Sequence, residues 1–203
     1  MRTKLSSHVM LIFFIGTNAL LSLITLGCRV RALLECRKPQ EQVIKKEIEN
    51  YIKWSERDGG YAHKRFIPLL CLVAGHPSQD LPTISNAITD QLEFLALKHR
   101  QALALPPSGR VSENGEVEVF SKPPPVVYGV IVAQCVTVFI TLDSGKPGAK
   151  PKTIAHFDFS DKNMDVWNGF AVAILVCMVR NQLMASKDEM ESETEETASD
   201  PDL

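Results

Sequence analysis

The sequence predicts a mixed α/β (α+β) domain: an antiparallel three-strand unit plus a buried strand, packed with three helices. An N-terminal hydrophobic helix is expected over residues 1–30, a disordered acidic C-terminal tail over 187–203, and the folded domain over 31–186. Three observations carry this reading. The segment "VMLIFFIGTNALLSLITLG", Val9 to Gly27, holds no charge. Between residues 126 and 160, three stretches are apolar or alternate at strand length. The tail from Lys187 holds eight acidic residues against one lysine, a net of −7 set against about +5 on everything before it. With 45% hydrophobic and 23% charged residues and a mean hydropathy of −0.01, the chain has enough apolar material for one core.

As a helix, Val9–Gly27 would span about 28 Å, close to the hydrocarbon thickness of a bilayer. Arg2 and Lys4 precede it and Arg29 and Arg31 follow it. The expected partner is therefore a membrane reached through residues 9–27, as a single-pass anchor. The slight basic excess after the segment places the folded body in the cytosol. Two alternatives stand beside the anchor. One is a signal peptide cleaved near Gly27–Cys28, giving a secreted protein, and the other is a buried helix, which Thr17 and Asn18 would suit.

The elements follow in order. Gln40 to about Arg57 is amphipathic, with Ile44, Ile48, Tyr51, Ile52 and Ser55 on one face and Glu41–Lys45 and Glu49–Lys53 spaced for i,i+4 pairing. "FIPLLCLVAG", 66–75, suits a buried strand, with Pro68 confined to an edge. A helix capped by Thr83 or Ser85 runs to about Leu105 on the stripe Ile84, Ile88, Leu92, Leu95, His99 and Leu103. Asn114-Gly115 marks a polar hairpin. "VVYGVIVAQ", "CVTVFITLDS" and "KTIAHFDFSD" are the three strands, the first two joined by a tight turn at Ala133–Gln134. The third puts Ala155, Phe157 and Phe159 on one face, with His156 and Asp158 on the other. Asn163 is expected to cap a last helix packed across the sheet through Trp167, Phe170 and Ile174.

Several chemistries are excluded on sequence grounds. "SGKPGAKPKT" lacks the helix that a phosphate-binding loop needs directly after its Lys. Cys36, Cys71, His63 and His76 are scattered rather than paired at zinc-ligand spacing, and the five cysteines form no CxxC. No Ser stands in a GxSxG elbow. Basic and aromatic residues do not interleave, so nucleic acid is not an expected partner. His156 and Asp158 share a strand face, which suits a solvated sheet surface as well as a ligand site.

"RVRALLECRKPQEQ", residues 29–42, reads as a strand ending in Glu-x-Arg-Lys-Pro, followed by a helix carrying Gln. This resembles the PD-(D/E)xK nuclease superfamily and the uncharacterised fungal proteins with degenerate versions of that fold. The resemblance implies Glu35 as a Mg²⁺ ligand, with Arg37 in the catalytic Lys position or Lys38 offering a shifted amine. The superfamily's upstream Asp has no counterpart here, because the apolar segment occupies its place. The competing reading makes Arg29, Arg31, Arg37 and Lys38 juxtamembrane residues at the lipid headgroups. Two function classes follow: a non-catalytic, membrane-tethered interaction or scaffold module with an unknown protein partner and no cofactor, or a degenerate or metal-dependent PD-(D/E)xK nuclease-like domain, which in its metal-dependent form would use Mg²⁺.

Overall fold

The computed structural model describes residues 2–76, 78–106, 110–111, 117–185 and 191–192, with side chains described from Met10 onward apart from Leu11, 110–111, 117–118 and 191–192. The chain is mixed helix and sheet, and it divides into two compact units, Met1–Phe66 with Asp158–Leu203 and Ile67–Phe157.

The first unit is helical. Helix α1 (Arg2–Ile24) is followed after a bend of 44° by α2 (Leu26–Glu35), then by α3 (Glu41–Gly59) and a two-residue strand β1 (Lys64–Arg65). The stripe expected on α3 is buried at Ile44, Ile48, Tyr51 and Ser55, and Gly60 ends the helix in the left-handed conformation that favours glycine. The unit is completed by a 3₁₀ turn (Lys162–Met164), helix α5 (Asp165–Met184) and strand β8 (Glu191–Ser192). The cap before α5 differs from the expected Asn163. Asp161 Oδ1 accepts the backbone N–H of Asn163, which closes the 3₁₀ turn, and α5 begins two residues later. Part of the tail is also structured, because Glu191–Ser192 pairs antiparallel with Arg65–Lys64. Residues 186–190 and 193–203 lie outside the described residues.

The second unit holds a mixed sheet in the order β2-β5-β6-β7: β2 (Leu70–Ala74), β5 (Val126–Ala133), β6 (Val136–Asp143) and β7 (Lys152–Asp158). Strands β5 and β6 are antiparallel and joined through Gln134–Cys135, with Gln134 at φ 54°. The extra strand β2 lies at the edge and runs parallel to β5, so the chain must cross over between them, and it does so through α4 (Leu81–Leu103). An edge position also explains why β2 is half-buried rather than buried, and why Pro68 is tolerated just before it. The apolar stripe of α4 packs on the sheet through Ile84, Ile88, Leu92 and Leu95. At Gly129 the helix comes close, since a Cβ there would lie 3.1 Å from Ile88 and 2.8 Å from Ile140. The polar hairpin is present as β3 (Arg110–Val111) paired with β4 (Val117–Glu118), although the Asn114-Gly115 turn itself lies outside the described residues.

His99, the polar member of the α4 stripe, is buried, and its Nε2 donates to the carbonyl of Pro68 at 3.1 Å. Burial lowers its pKa below the ordinary value, opposed by the Pro68 carbonyl and assisted by the charge of Lys122. The unfolded chain therefore binds a proton that the folded unit resists. Stability is full above the unfolded value of about 6.5 and is lost as pH falls through the lowered folded value. In denaturant melts at pH 7.5 and 5.5, the wild-type unit should lose more stability at the lower pH than His99→Gln does. Equal losses would place the acid sensitivity elsewhere.

Candidate functional site: outward apolar faces on the helical unit

The corner around Glu35 is a helix stop. Residues 26–35 are helical, so the strand reading of 29–36 is corrected, and with it the strand-end position that the nuclease resemblance gave Glu35. Lys38 N–H donates to Leu33 O at 2.9 Å and Arg37 N–H to Leu34 O at 3.0 Å, with Arg37 at φ 53°. This pair of bonds around a left-handed residue closes a helix C-terminus, and Pro39 follows where a helix cannot continue. Glu35, Arg37 and Lys38 are all exposed. Arg37 thus occupies a backbone position that suits glycine. Arg37→Gly should raise the thermal midpoint by a few degrees, for a gain of about 1 kcal/mol, and a fall would show that its side chain makes a stabilising contact.

The buried carboxylate of this corner is Glu41, in the first turn of α3, and its Oε2 has no hydrogen-bond partner among the described residues. Among those residues no group of three or more His, Cys, Asp or Glu side chains could hold a metal ion. Cys71 is inert at neutral pH, because burial pushes its thiol up to about 12.

The helical unit instead concentrates its unusual features on α1 and α5. The two helices pack antiparallel, since Gly169 near the start of α5 meets Leu23 and Ile24 at the end of α1. A Cβ at 169 would lie 2.8 Å from Ile24 Cα and 2.9 Å from the Leu23 carbonyl carbon, so the two backbones touch. The inner residues of α5 are accordingly Gly169, Val172, Ala173, Val176 and Val179. That corrects the expected burial of Trp167, Phe170 and Ile174, which face outward, with Trp167 66% and Ile174 59% exposed. The sequence hid this because α5 is apolar all round, and a helix of that kind does not reveal which stripe is inside. The small residue at 169 was the available signal.

Helix α1 continues the pattern. Met10, Phe13, Phe14 and Leu21 are exposed, Phe13 by 74% and Phe14 by 65%. Thr17 and Thr25 share this outward side, and each hydroxyl donates to the carbonyl four residues earlier, Phe13 O at 3.0 Å and Leu21 O at 2.8 Å. These hydroxyls are satisfied within the helix, which leaves Asn18 as the amide on that side. No charged residue stands on α1 from Met10 to Ile24 or on α5 from Val166 to Met178.

At the junction end, Arg31 forks onto Asp165, with Nη1–Oδ1 and Nη2–Oδ2 both at 2.7 Å. Cys28 Sγ lies 3.5 Å from Asp165 Oδ2. The fork fixes α2 to the first turn of α5, where a carboxylate is favoured by the helix dipole. At the other end, Arg180 pairs with Asp58 of α3. The Lys162–Met184 segment is long and apolar enough to cross a membrane, as is α1 from Ile12 taken together with α2 as one bent span. By length and apolarity, then, α5 with its preceding turn meets the measure that the sequence suggested for residues 9–27. No family model, curated protein or solved structure matches the chain.

Proposed function

We propose that the chain is a non-catalytic, membrane-associated protein, held on a lipid bilayer by its helical unit and displaying its α/β unit to a protein partner. The observation that carries this reading is the outward apolar residues of α1 and α5, large side chains free of charge over most of both helices. In water such a surface is costly, at about 25 cal/mol for each Å² of apolar area left exposed. Lipid removes that cost, and the self-bonded Thr17 and Thr25 hydroxyls enter it without losing a hydrogen bond.

Flotation tests this directly. The full chain synthesised in a cell-free system with neutral phosphatidylcholine vesicles should rise with them in a density gradient. A variant carrying Phe13→Ser, Phe14→Ser, Ile174→Ser and Met178→Ser, all exposed positions, should stay at the bottom. Wild-type chain remaining at the bottom would overturn the reading.

A further inference from the structure

We infer that the helical unit lies in the plane of the membrane interface, inserted from one side, rather than crossing the bilayer. This rests on the membrane reading above and deepens it. The deciding element is α3. It packs on α1, where Trp54 Nε1 donates to Ile12 O at 3.2 Å and its ring meets Gly16, and Glu47 pairs with Arg29 of α2 at 2.9 Å. Between these two anchor points, α3 exposes Asn50 and Lys53, with Glu49 half-buried, and Lys46 is exposed just before Glu47. If α1 crossed the bilayer, Lys53 and Glu49, with the amide of Asn50, would be carried into hydrocarbon, and a charged residue at that depth costs heavily. With the unit lying flat, α3 keeps its polar side in water while the outward side chains of α1 and α5 enter the headgroup and upper acyl region, a depth of roughly 5–10 Å.

The chemistry of the surface favours lipid. Its large side chains, among them Phe13, Phe14, Trp167 and Ile174, are exposed and apolar, and the hydroxyls of Thr17 and Thr25 bond within the helix, so they need no polar partner from outside. Insertion into lipid gains side chain by side chain. Because the surface is apolar, attachment should also resist salt, which screens only charge.

The two ends of the helix pair supply the test. Cys28 marks one end, and an added Asn181→Cys, at an exposed position, marks the other. Full-length chain is bound to sealed phosphatidylcholine vesicles from outside, treated with a membrane-impermeant maleimide, and read by peptide mass. An in-plane unit labels at both positions before detergent is added, and 0.5 M NaCl leaves the bound fraction within twofold. Labelling at one end only, with the other released by detergent, would overturn the in-plane arrangement and leave membrane attachment standing. A chain that fails to float would overturn both. A chain that floats only at low salt would overturn the apolar contact, because its attachment would then be electrostatic.

Discussion

Gly169→Val should destabilise the helical unit by roughly 3 kcal/mol, the upper end of the usual cost of forcing atoms into a packed site. The reason is what the new side chain meets. At Gly169 the obstacles are the backbone of Leu23 and Ile24, which cannot rotate away. Gly16 offers the comparison: a Cβ there meets the Trp54 ring at 2.5 Å, and a side chain can shift where a backbone cannot. Gly16→Ala should therefore cost less than Gly169→Ala in denaturant melts. The reverse order would mean that α1 and α5 do not approach as closely as the backbone contact requires. Loss of the α1–α5 contact should also weaken flotation, because the outward side chains would no longer be held together.

The second large effect lies in the sheet of the α/β unit. Phe139 on β6 is 4% exposed, and its ring centroid is 5.1 Å from that of Phe157 on β7. Phe139→Ala should cost about 3–5 kcal/mol as a buried large-to-small change. Phe157 is half-buried and should cost less, about 2 kcal/mol, while the exposed His156 should cost about 0.5 or less. A His156 cost equal to that of Phe157 would mean that the strand presents its other side to the core.

These residues also show where the sequence was legible. Alternation in "KTIAHFDFSD" separated Phe157 from His156 correctly, because a strand's period of two leaves little choice once one face is apolar. The stripe of α4 was legible for the same reason at a period of 3.6, and all of its members but Leu103 are buried. The parallel pairing of β2 with β5 was not, because parallel register depends on the crossover through α4 and on no local signal. The corner at Glu35 misled for a different reason. Val30, Leu33 and Leu34 stand at helical spacing, but the stretch is short, and the helix there ends on Arg37 rather than on the glycine that usually announces a left-handed closure. Glu41 was read only as an i,i+4 partner of Lys45, while the fold buries it. The apolar faces of α1 and α5 were legible as composition, but choosing their outward side needed the contact at Gly169.

The measurement that bears most directly on membrane seating is quenching of tryptophan emission by lipids brominated on their acyl chains. The chain has two tryptophans, Trp54 half-buried inside the helical unit and Trp167 exposed on α5. Seating of the outward faces in lipid predicts strong quenching in the vesicle-bound wild type and loss of most of it in Trp167→Phe, which keeps Trp54 alone. Emission untouched by brominated lipid, or quenching that survives in Trp167→Phe, would contradict it.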